Sequence, residues 1–445
     1  INHKYLCNTG GFMAKFFGTD GIRGEYGKTL TCDVAFSVGN ALTQIKNNPK
    51  VIIGHDTRVS ADALTLSLSA GIVQGGGNVV NVKTIPTAGI SFLTESEKFD
   101  FGVIITASHN PPNFNGIKIF DCTGKKLCDN EEEFLEEFFS NKYISDNSGK
   151  YEEKENLQKK YIEHLLNCTN VKFTDMKICI DASNGASFKI APKIFKKLGA
   201  KVFKLSCKND GSKINVNCGS LHIENLIKKV VSTKSNIGFA YDGDADRVIA
   251  VSKSGAIFDG DKLLYILATQ MKQQGQLYAN SVVGTSHTNS GIMVALNRNK
   301  INLIRTDIGD KYVIEAMEKM NLTLGGEQSG HIIIKNYAQT GDGILTSLKI
   351  CEIIQKSRKS LDQLFAANLI YQENINLQVK DKIKIMNNEG LKILANKIAN
   401  EIAPAGRILI RASGTEDKIR IMIEYPNKQK AMSFANEIKT LIEKI

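Results

Sequence analysis

The sequence lacks the long apolar runs and the paired cysteines that identify two large classes of protein. No apolar stretch reaches the roughly 18 residues that a membrane-spanning helix requires, so a soluble protein without a membrane partner is predicted. The nine cysteines are scattered and are never spaced as CxxC, which argues against a disulfide framework and a zinc site. This usage is typical of a reducing compartment and predicts a cytoplasmic protein.

The Walker A loop, the dinucleotide fingerprint and the G-x-S-x-G elbow are also absent from the sequence. Nucleotide-dependent chemistry and acyl hydrolysis by a serine triad therefore lose support. The net charge of +11 raises nucleic-acid binding as a hypothesis, but the lysines are dispersed and no basic run carries stacking aromatic residues. A diffuse positive field that attracts small phosphorylated substrates is one alternative, and a lysine-rich composition without functional meaning is another.

Three segments of the chain repeat one layout, in which an apolar strand, a polar loop and a helical stretch precede a second strand that ends in a polar motif. The strand pairs are residues 51–56 with 103–105, 178–181 with 237–240, and 281–284 with 322–324. Near-continuous apolar strands that alternate with helices indicate buried, largely parallel sheets. The pattern predicts three α/β domains, each of which offers one loop to a shared cleft.

The C-terminal part has a different pattern, which predicts a small α+β domain hinged on residues 356–360. Its expected elements are strands at 374–379, 407–410 and 419–423 and helices at 390–400 and 428–444. The first residues resemble no secretory signal, and Met13 is expected to be the true start. The predicted division is a leader or disordered extension at 1–12, α/β domains at 13–155, 156–260 and 261–370, and the α+β domain at 371–445.

A serine stands where one of the predicted strands ends. The segment 106–111, which reads TASHNP, follows the apolar residues 102–105. Open α/β sheets place their chemistry at such strand ends, so Ser108 is the candidate for a residue that acts covalently. The alternative is an ordinary Asx or Ser turn with no catalytic role.

Three aspartates occupy alternate positions directly after the second strand of the second domain. In an extended loop alternate residues point the same way, so Asp242, Asp244 and Asp246 are expected to converge on one Mg²⁺ ion. A phosphate oxygen on Ser108 would suit the remaining coordination position, and Arg247 could bind the same phosphate or hold the serine loop. The alternative is a solvated acidic turn.

Two later loops offer ligands for a phosphorylated sugar. Glu327, Ser329 and His331 lie in a glycine-rich segment and suit sugar hydroxyls and proton transfer, although a lone histidine is more often structural. Arg411 and Arg420 flank a loop whose hydroxyls and freed amides suit a phosphate monoester, and the alternative there is a charged hairpin turn.

Two further cations, Arg23 and Lys118, lie close to glycines and could stabilise a metaphosphate-like transition state.

Five segments, taken in order, resemble the signature loops of the α-D-phosphohexomutase family. They are residues 18–24, 106–111, 242–247, 326–331 and 411–415. The resemblance extends from Met13 to the C-terminus. It implies three similar α/β domains with mixed, largely parallel sheets and a C-terminal α+β domain of the TATA-box-binding-protein-like type, arranged around a central cleft.

The resemblance also implies a role for each candidate residue. Ser108 would be a phosphoserine, and the three aspartates would hold Mg²⁺ together with it. Glu327 and Ser329 would contact the sugar, and the phosphate that is not transferred would be bound by Arg411, Ser413, Gly414, Thr415 and Arg420. Lys118 or His331 would serve as general base and acid, and Arg23 and Arg247 would support the transferring group.

Within the family, segments 327–331 and 217–220 are similar to the bacterial branch that acts on glucosamine phosphates, although Leu221 replaces an expected threonine. This implies interconversion of glucosamine 6-phosphate and glucosamine 1-phosphate through glucosamine 1,6-bisphosphate, for cell-wall precursor synthesis. Branches acting on glucose or mannose phosphates are the alternative, followed by a metal-dependent phosphatase and a non-catalytic phosphosugar sensor. The expected partner is a small sugar phosphate, not nucleic acid, and a homodimer is left open.

Overall fold

The structure is a computed structural model that describes residues 16–18, 20–413 and 417–445. The predicted leader at 1–12 and two predicted phosphate-binding residues, Gly414 and Thr415, lie outside the described residues. Four sheets follow one another along the described chain. The first sheet carries two of the five polar segments singled out in the sequence, and each of the other sheets carries one.

The first sheet has seven strands in the order β1-β2-β6-β5-β3-β4-β7. The strands are β1 (Phe17–Gly18), β2 (Gly21–Glu25), β3 (Lys50–His55), β4 (Asn78–Thr84), β5 (Phe101–Ile105), β6 (Phe114–Phe120) and β7 (Tyr151–Glu153). Its helices are α1 (Cys32–Ile45), α2 (Ala61–Gln74), α3 (Thr87–Ser96) and α4 (Asp129–Glu136). Strands β3 and β5 are parallel and almost wholly buried, which is why they read as continuous apolar runs.

The second sheet has five strands in the order β12-β11-β10-β8-β9. The elements are α5 (Gln158–Asn167), β8 (Lys177–Asp181), α6 (Ile190–Lys197), β9 (Lys201–Leu205), α7 (Glu224–Thr233), β10 (Ile237–Tyr241), β11 (Val248–Ser252) and β12 (Ile257–Phe258). Strands β8 and β10 are parallel, as the repeated layout predicted. The antiparallel pair of β10 and β11 makes the sheet mixed and turns the chain sharply after Tyr241.

The third sheet has four strands in the order β14-β13-β15-β16. The elements are α8 (Gly260–Gln273), β13 (Ser281–Thr285), α9 (Ser290–Arg298), β14 (Asn302–Thr306), α10 (Asp310–Lys319), β15 (Leu324–Gly326), β16 (Ile332–Ile334), α11 (Gly343–Ser357) and α12 (Leu361–Leu364). Strands β13 and β15 are parallel. Strand β15 begins two residues later than predicted, with Thr323 in a bend before it.

The fourth sheet is antiparallel, with the order β17-β19-β18. Its elements are β17 (Gln372–Gln378), α13 (Lys382–Met386), α14 (Glu389–Ile402), β18 (Arg407–Ala412), β19 (Lys418–Glu424) and α15 (Lys428–Ile442). The α+β class predicted for the C-terminal part is thereby confirmed. Its alternating strands bury one face against helices, which gives the period of two that the sequence displays.

The distribution of buried apolar residues separates the last sheet from the others. One apolar cluster joins the first three units and includes Ile52 of β3, Phe239 of β10 and Leu324 of β15. The fourth unit has its own cluster, built around residues such as Ile421 and Ile438. The fourth unit is therefore joined to the rest mainly through polar contacts. Among the described helices, none is long and apolar enough to cross a membrane.

Candidate active site

The serine loop and the aspartate loop are in direct contact. Ser108 follows β5, Asp242 follows β10, and the Ser108 hydroxyl donates a hydrogen bond of 2.6 Å to Oδ2 of Asp242. Both side chains are fully buried. The backbones approach so closely that a Cβ on Gly243 would lie 2.4 Å from the carbonyl oxygen of Ser108. A glycine is therefore required at this point of contact.

The three aspartates form a compact cluster of oxygen ligands. One carboxylate oxygen from each of Asp242, Asp244 and Asp246 lies within 4.8 Å of the others. The expected convergence is present, but the expected extended loop is not. The segment is a tight turn in which Ala245 has φ 57°, and this left-handed residue brings the carboxylates together.

The cluster fits a hard divalent cation. Burial and the neighbouring carboxylates raise the pKa of Asp242 well above its usual value, as expected for a buried acid beside groups of like charge. No donor among the described residues reaches Oδ1 of Asp244 or Asp246, and both atoms are buried. Buried carboxylate oxygens without donors are costly unless a cation binds them. The donor set, all oxygen, is the one that Mg²⁺ prefers.

Lys118 supplies positive charge beside this cluster. Its Nζ lies 3.0 Å from Oδ2 of Asp244, 3.1 Å from Oδ2 of Asp246 and 3.2 Å from Oδ2 of Asp20. Burial alone would lower the pKa of Lys118. The three carboxylates, of which Asp20 has the largest effect, raise it well above its usual value. Lys118 is on β6, which pairs with β5, so the sheet itself brings the ammonium next to the serine loop.

His331 lies behind the aspartate cluster and is almost completely buried. Its Nε2 accepts a hydrogen bond of 3.1 Å from the amide of Gly341, and its Nδ1 lies 3.6 Å from Oδ2 of Asp246. Because Nε2 accepts a hydrogen bond, a neutral His331 carries its proton on Nδ1, the nitrogen that faces the carboxylate of Asp246. Both His331 and Lys118 thus lie close to Oδ2 of Asp246.

Two arginines brace the serine loop. Nη1 of Arg23 donates to the carbonyl of Ala107 at 2.9 Å and to Oδ1 of Asn110 at 2.7 Å. Nη1 of Arg247 lies 2.9 Å from Nδ1 of His109. Since guanidinium can only donate, this nitrogen of His109 must be unprotonated. Burial, reinforced by Arg247, lowers the pKa of His109 to about 3.

The loop after β15 presents the predicted sugar ligands. The Ser329 hydroxyl, on an exposed residue, lies 3.3 Å from Oε2 of Glu327. The other carboxylate oxygen of Glu327 accepts a hydrogen bond of 3.0 Å from the amide of Gly309. The intervening Gln328 donates at 3.0 Å to the side-chain oxygen of Gln372, the first residue of β17. This loop is therefore hydrogen-bonded directly to the fourth unit.

The two arginines predicted to bind phosphate lie opposite each other on neighbouring strands. Arg411 of β18 and Arg420 of β19 are cross-strand partners. Burial and the charge of Arg420 lower the pKa of Arg411, and Glu327 acts in the opposite direction. Two guanidinium groups side by side favour an anion between them. Ser413 is buried next to them, whereas Gly414 and Thr415 lie outside the described residues.

Sequence reasoning missed an ion-pair network and a clamp on the serine loop. Lys126 forms ion pairs with both Asp20 and Asp310, which joins the first unit to the start of α10. The clamp consists of Asp56 and Arg58, which follow β3. Arg58 is hydrogen-bonded both to Asp56 and to the carbonyl of Ser108 in the serine loop. Their position at a strand end was a usable signal. No pattern in the chain pointed to the network, because its members are far apart in sequence.

Comparison with known proteins agrees with this geometry. Family models described as phosphoglucomutase/phosphomannomutase, alpha/beta/alpha domains I, II and III, match residues 14–144, 159–255 and 259–370. The model described as the C-terminal domain of the same family matches residues 375–441. Together the four models cover most of the chain.

Individual relatives extend over nearly the full length. A phosphoglucosamine mutase of Thermoanaerobacter pseudethanolicus is 43% identical over 97% of this chain and 99% of its own. The crystal structure of a phosphoglucomutase/phosphomannomutase family protein from Burkholderia thailandensis has a TM-score of 0.82 at 25% identity and covers 96% of each chain. An Aspergillus fumigatus N-acetylphosphoglucosamine mutase, solved with GlcNAc-6P and magnesium, has a TM-score of 0.68 at 17% identity and covers 96% of this chain and 95% of its own. The chain therefore belongs to the phosphoglucomutase/phosphomannomutase family, the α-D-phosphohexomutases that its motifs resemble.

Proposed function

We propose that the protein is a phosphoglucosamine mutase, which interconverts glucosamine 6-phosphate and glucosamine 1-phosphate. The observation that carries the proposal is the contact between the Ser108 hydroxyl and the aspartate cluster, in a chain 43% identical to a relative with this name. A serine held against three carboxylates suits a phosphoryl carrier that needs a divalent cation. The product would supply the synthesis of UDP-N-acetylglucosamine and cell-wall precursors.

The working form of the enzyme carries a phosphoryl group on Ser108. In the first half-reaction the bond between phosphorus and Oγ of Ser108 breaks, and a bond forms to O1 of glucosamine 6-phosphate. The O1 hydroxyl gives up its proton, and the serine oxygen gains one. The 1,6-bisphosphate then turns around in the cleft. Its 6-phosphoryl group is transferred to Oγ of Ser108, O6 gains a proton, and glucosamine 1-phosphate is released.

We assign Asp242, Asp244 and Asp246 to a Mg²⁺ site. The buried oxygens of Asp244 and Asp246 that no described donor reaches support this assignment. When bound, the cation would withdraw charge from the phosphoryl oxygens and make phosphorus a better electrophile. The hydrogen bond to Asp242 orients the Ser108 oxygen in the unphosphorylated enzyme, so the hydroxyl lies ready to receive the returning group.

Charge and proton movement are divided among residues on either side of the cluster. We assign Lys118, whose ammonium contacts three carboxylates, to electrostatic stabilisation of the transferring group. The remaining candidate for proton transfer is His331, because its imidazole can both accept and donate a proton. Arg23 and Arg247 hold the serine loop from either side and add positive charge there.

Substrate would be held by the third and fourth units. Glu327 and Ser329 would bind the sugar hydroxyls. Arg411 and Arg420, together with Ser413, Gly414 and Thr415, would bind the phosphate that is not transferred. The hydrogen bond from Gln328 of the sugar loop to Gln372 of the fourth unit supports a phosphate site close to that loop. Because the bisphosphate has to turn, we expect the fourth unit to open and close during each cycle.

The test compares kcat/KM for glucosamine, glucose and mannose 6-phosphates, with release of free phosphate measured in parallel. The highest value on glucosamine 6-phosphate, with negligible free phosphate, supports the proposal. A preference for glucose or mannose 6-phosphate would make the protein a phosphoglucomutase or phosphomannomutase instead. Stoichiometric phosphate release would identify a phosphatase.

Domain limits, location and assembly complete the proposal. Boundaries near residues 155, 260 and 370, a cytoplasmic location, and the choice between monomer and homodimer stay predictions. Limited proteolysis near the three boundaries and sedimentation velocity of the intact chain would test the first and the last.

A further inference from the structure

Directly after β3, an arginine reaches under the serine loop. Arg58 has a completely buried side chain, although arginine is among the residues least often buried without dedicated partners. It is about fifty positions away in sequence from every loop residue that it contacts. A buried guanidinium has five N–H donors to satisfy, so its partners define its role.

Most of these donors bind backbone carbonyls of the serine loop and the start of β6. Nη2 of Arg58 donates to the carbonyl of Ser108 at 3.1 Å and to that of Asn110 at 2.8 Å. Nη1 donates to the carbonyl of Phe114 at 2.8 Å and to that of Pro111. Three carbonyls of the serine loop and one from the first residue of β6 thus converge on a single planar group. Arg58 thereby fixes the path of the loop on both sides of the serine.

The remaining donor of Arg58, Nε, is connected through Asp56 and Thr106 to the backbone amide of Ser108. Nε donates to Oδ2 of Asp56 at 2.9 Å. The same carboxylate oxygen accepts 2.7 Å from the Thr106 hydroxyl, and the oxygen of Thr106 accepts 3.0 Å from the amide of Ser108. The amide and the carbonyl of Ser108 are therefore both held by one buried unit, which consists of Asp56, Arg58 and Thr106.

This unit holds a backbone conformation that the chain would not adopt unaided. Ser108 has φ 50°, in the left-handed region that residues with a side chain rarely occupy. Such a conformation persists only where surrounding contacts determine it. In an ordinary right-handed or extended conformation, Oγ of Ser108 would leave the position 2.6 Å from Asp242. The conformation of this one residue thus decides where the nucleophile points.

We propose that Arg58 and Thr106 are positioning residues for phosphoryl transfer, which act by holding Ser108 in its left-handed conformation against the aspartate cluster. The inference rests on the proposed function of Ser108. Neither residue contacts the sugar loop after β15 or the arginine pair of the fourth unit in any hydrogen bond that the described residues make. Their loss should therefore impair the chemical step and leave sugar-phosphate binding unchanged.

Arg58→Lys tests the first residue, because it keeps the charge beside Asp56 but cannot reach four carbonyls. Misplacing a reacting group by about 1 Å can cost about 100-fold in rate, so we expect kcat to fall by roughly that factor at an unchanged KM. Phosphorylation of Ser108 by added bisphosphate should slow by the same factor. Val38→Ala, a buried change in α1, is the control for a general loss of stability.

Thr106 provides a second and smaller change. Thr106→Val removes the hydroxyl at similar volume and should lower kcat in the same way, whereas Thr106→Ser retains the hydroxyl and should restore it. Wild-type kcat in Arg58→Lys or in Thr106→Val overturns the inference. So does a fall in kcat that the Val38→Ala control reproduces at equal loss of Tm, or a change that appears in KM alone. Failure of the proposed function is distinguishable, because the wild-type chain itself would then not turn over glucosamine 6-phosphate.

Discussion

The Ser108 hydroxyl donates to Oδ2 of Asp242 over 2.6 Å, although the two residues are 134 positions apart in sequence. Each stands at the carboxyl end of a strand in a different sheet, so the contact joins the first unit to the second. It brings the Ser108 hydroxyl to a carboxylate whose pKa is raised by burial. In the proposed function, this contact places the serine oxygen beside the carboxylates that would hold the cation.

Replacing Ser108 by alanine should abolish turnover, because the methyl side chain of alanine has no oxygen to accept the phosphoryl group. The protein should also stop incorporating phosphate from a labelled bisphosphate, which mass spectrometry detects. Ser212→Ala, at an exposed position, is the control and should keep wild-type activity. Normal turnover by Ser108→Ala without phosphate on the protein would contradict the covalent scheme.

Removal of divalent cations should inactivate the enzyme, and added Mg²⁺ should restore it. Binding should also raise Tm, because a ligand at 100 times its Kd stabilises the native state by about 2.7 kcal/mol. Asp246→Asn should lose this Tm shift, because it removes one of the three carboxylates. Calorimetric titration with Mg²⁺ measures the binding directly. An equal Tm shift in wild type and Asp246→Asn would place the cation elsewhere.

Replacing Arg411 by methionine should act mainly on KM. The arginine pair is proposed to bind the phosphate that stays on the sugar, in ground state and transition state alike, so its loss removes uniform binding. Hydrogen bonds to charged groups contribute about 1.5–3 kcal/mol, which corresponds to a rise in KM of about 10-fold to 100-fold. Arg298→Met, at an exposed position in α9, is the control. A fall in kcat at constant KM would exclude this role.

The sequence was sufficient to predict the sheets and the loops that end them, since buried parallel strands leave continuous apolar runs. It was not sufficient to predict the turn at 242–246, because alanine has no preference for the left-handed conformation that Ala245 adopts. Arg58 also escaped prediction: its position at a strand end was a usable signal, but its partners are backbone carbonyls, so its role left no residue pattern. The cross-strand contact of Arg411 with Arg420 depends on strand register, which short strands do not specify by composition.

An ion pair between the buried Glu424 and the partly exposed Arg407 attaches the fourth unit to the third. Glu424 of β19 is fully buried and accepts hydrogen bonds from Nε of Arg407 at 3.0 Å, from Nε2 of Gln372 at 2.7 Å and from the amide of Ser290 at 3.2 Å. Arg407 also donates to the carbonyl of Thr288 at 2.7 Å. Burial acts to raise the pKa of Glu424. The hydrogen bonds, of which the one from Arg407 has the largest effect, lower the pKa overall.

Because the pKa of Glu424 is lower in the folded than in the unfolded chain, the pair stabilises the protein above the unfolded value of about 4.3. This contribution should disappear as the pH falls through the lower folded value. Glu424→Gln should therefore cost about 2 kcal/mol at pH 7, since it removes a charged acceptor from Arg407, whose side chain is 24% exposed, and the difference from wild type should shrink in acid. Urea unfolding of both proteins at a series of pH values measures this difference. A difference that stays constant into acid would mean that packing, and not the carboxylate charge, holds the fourth unit in place.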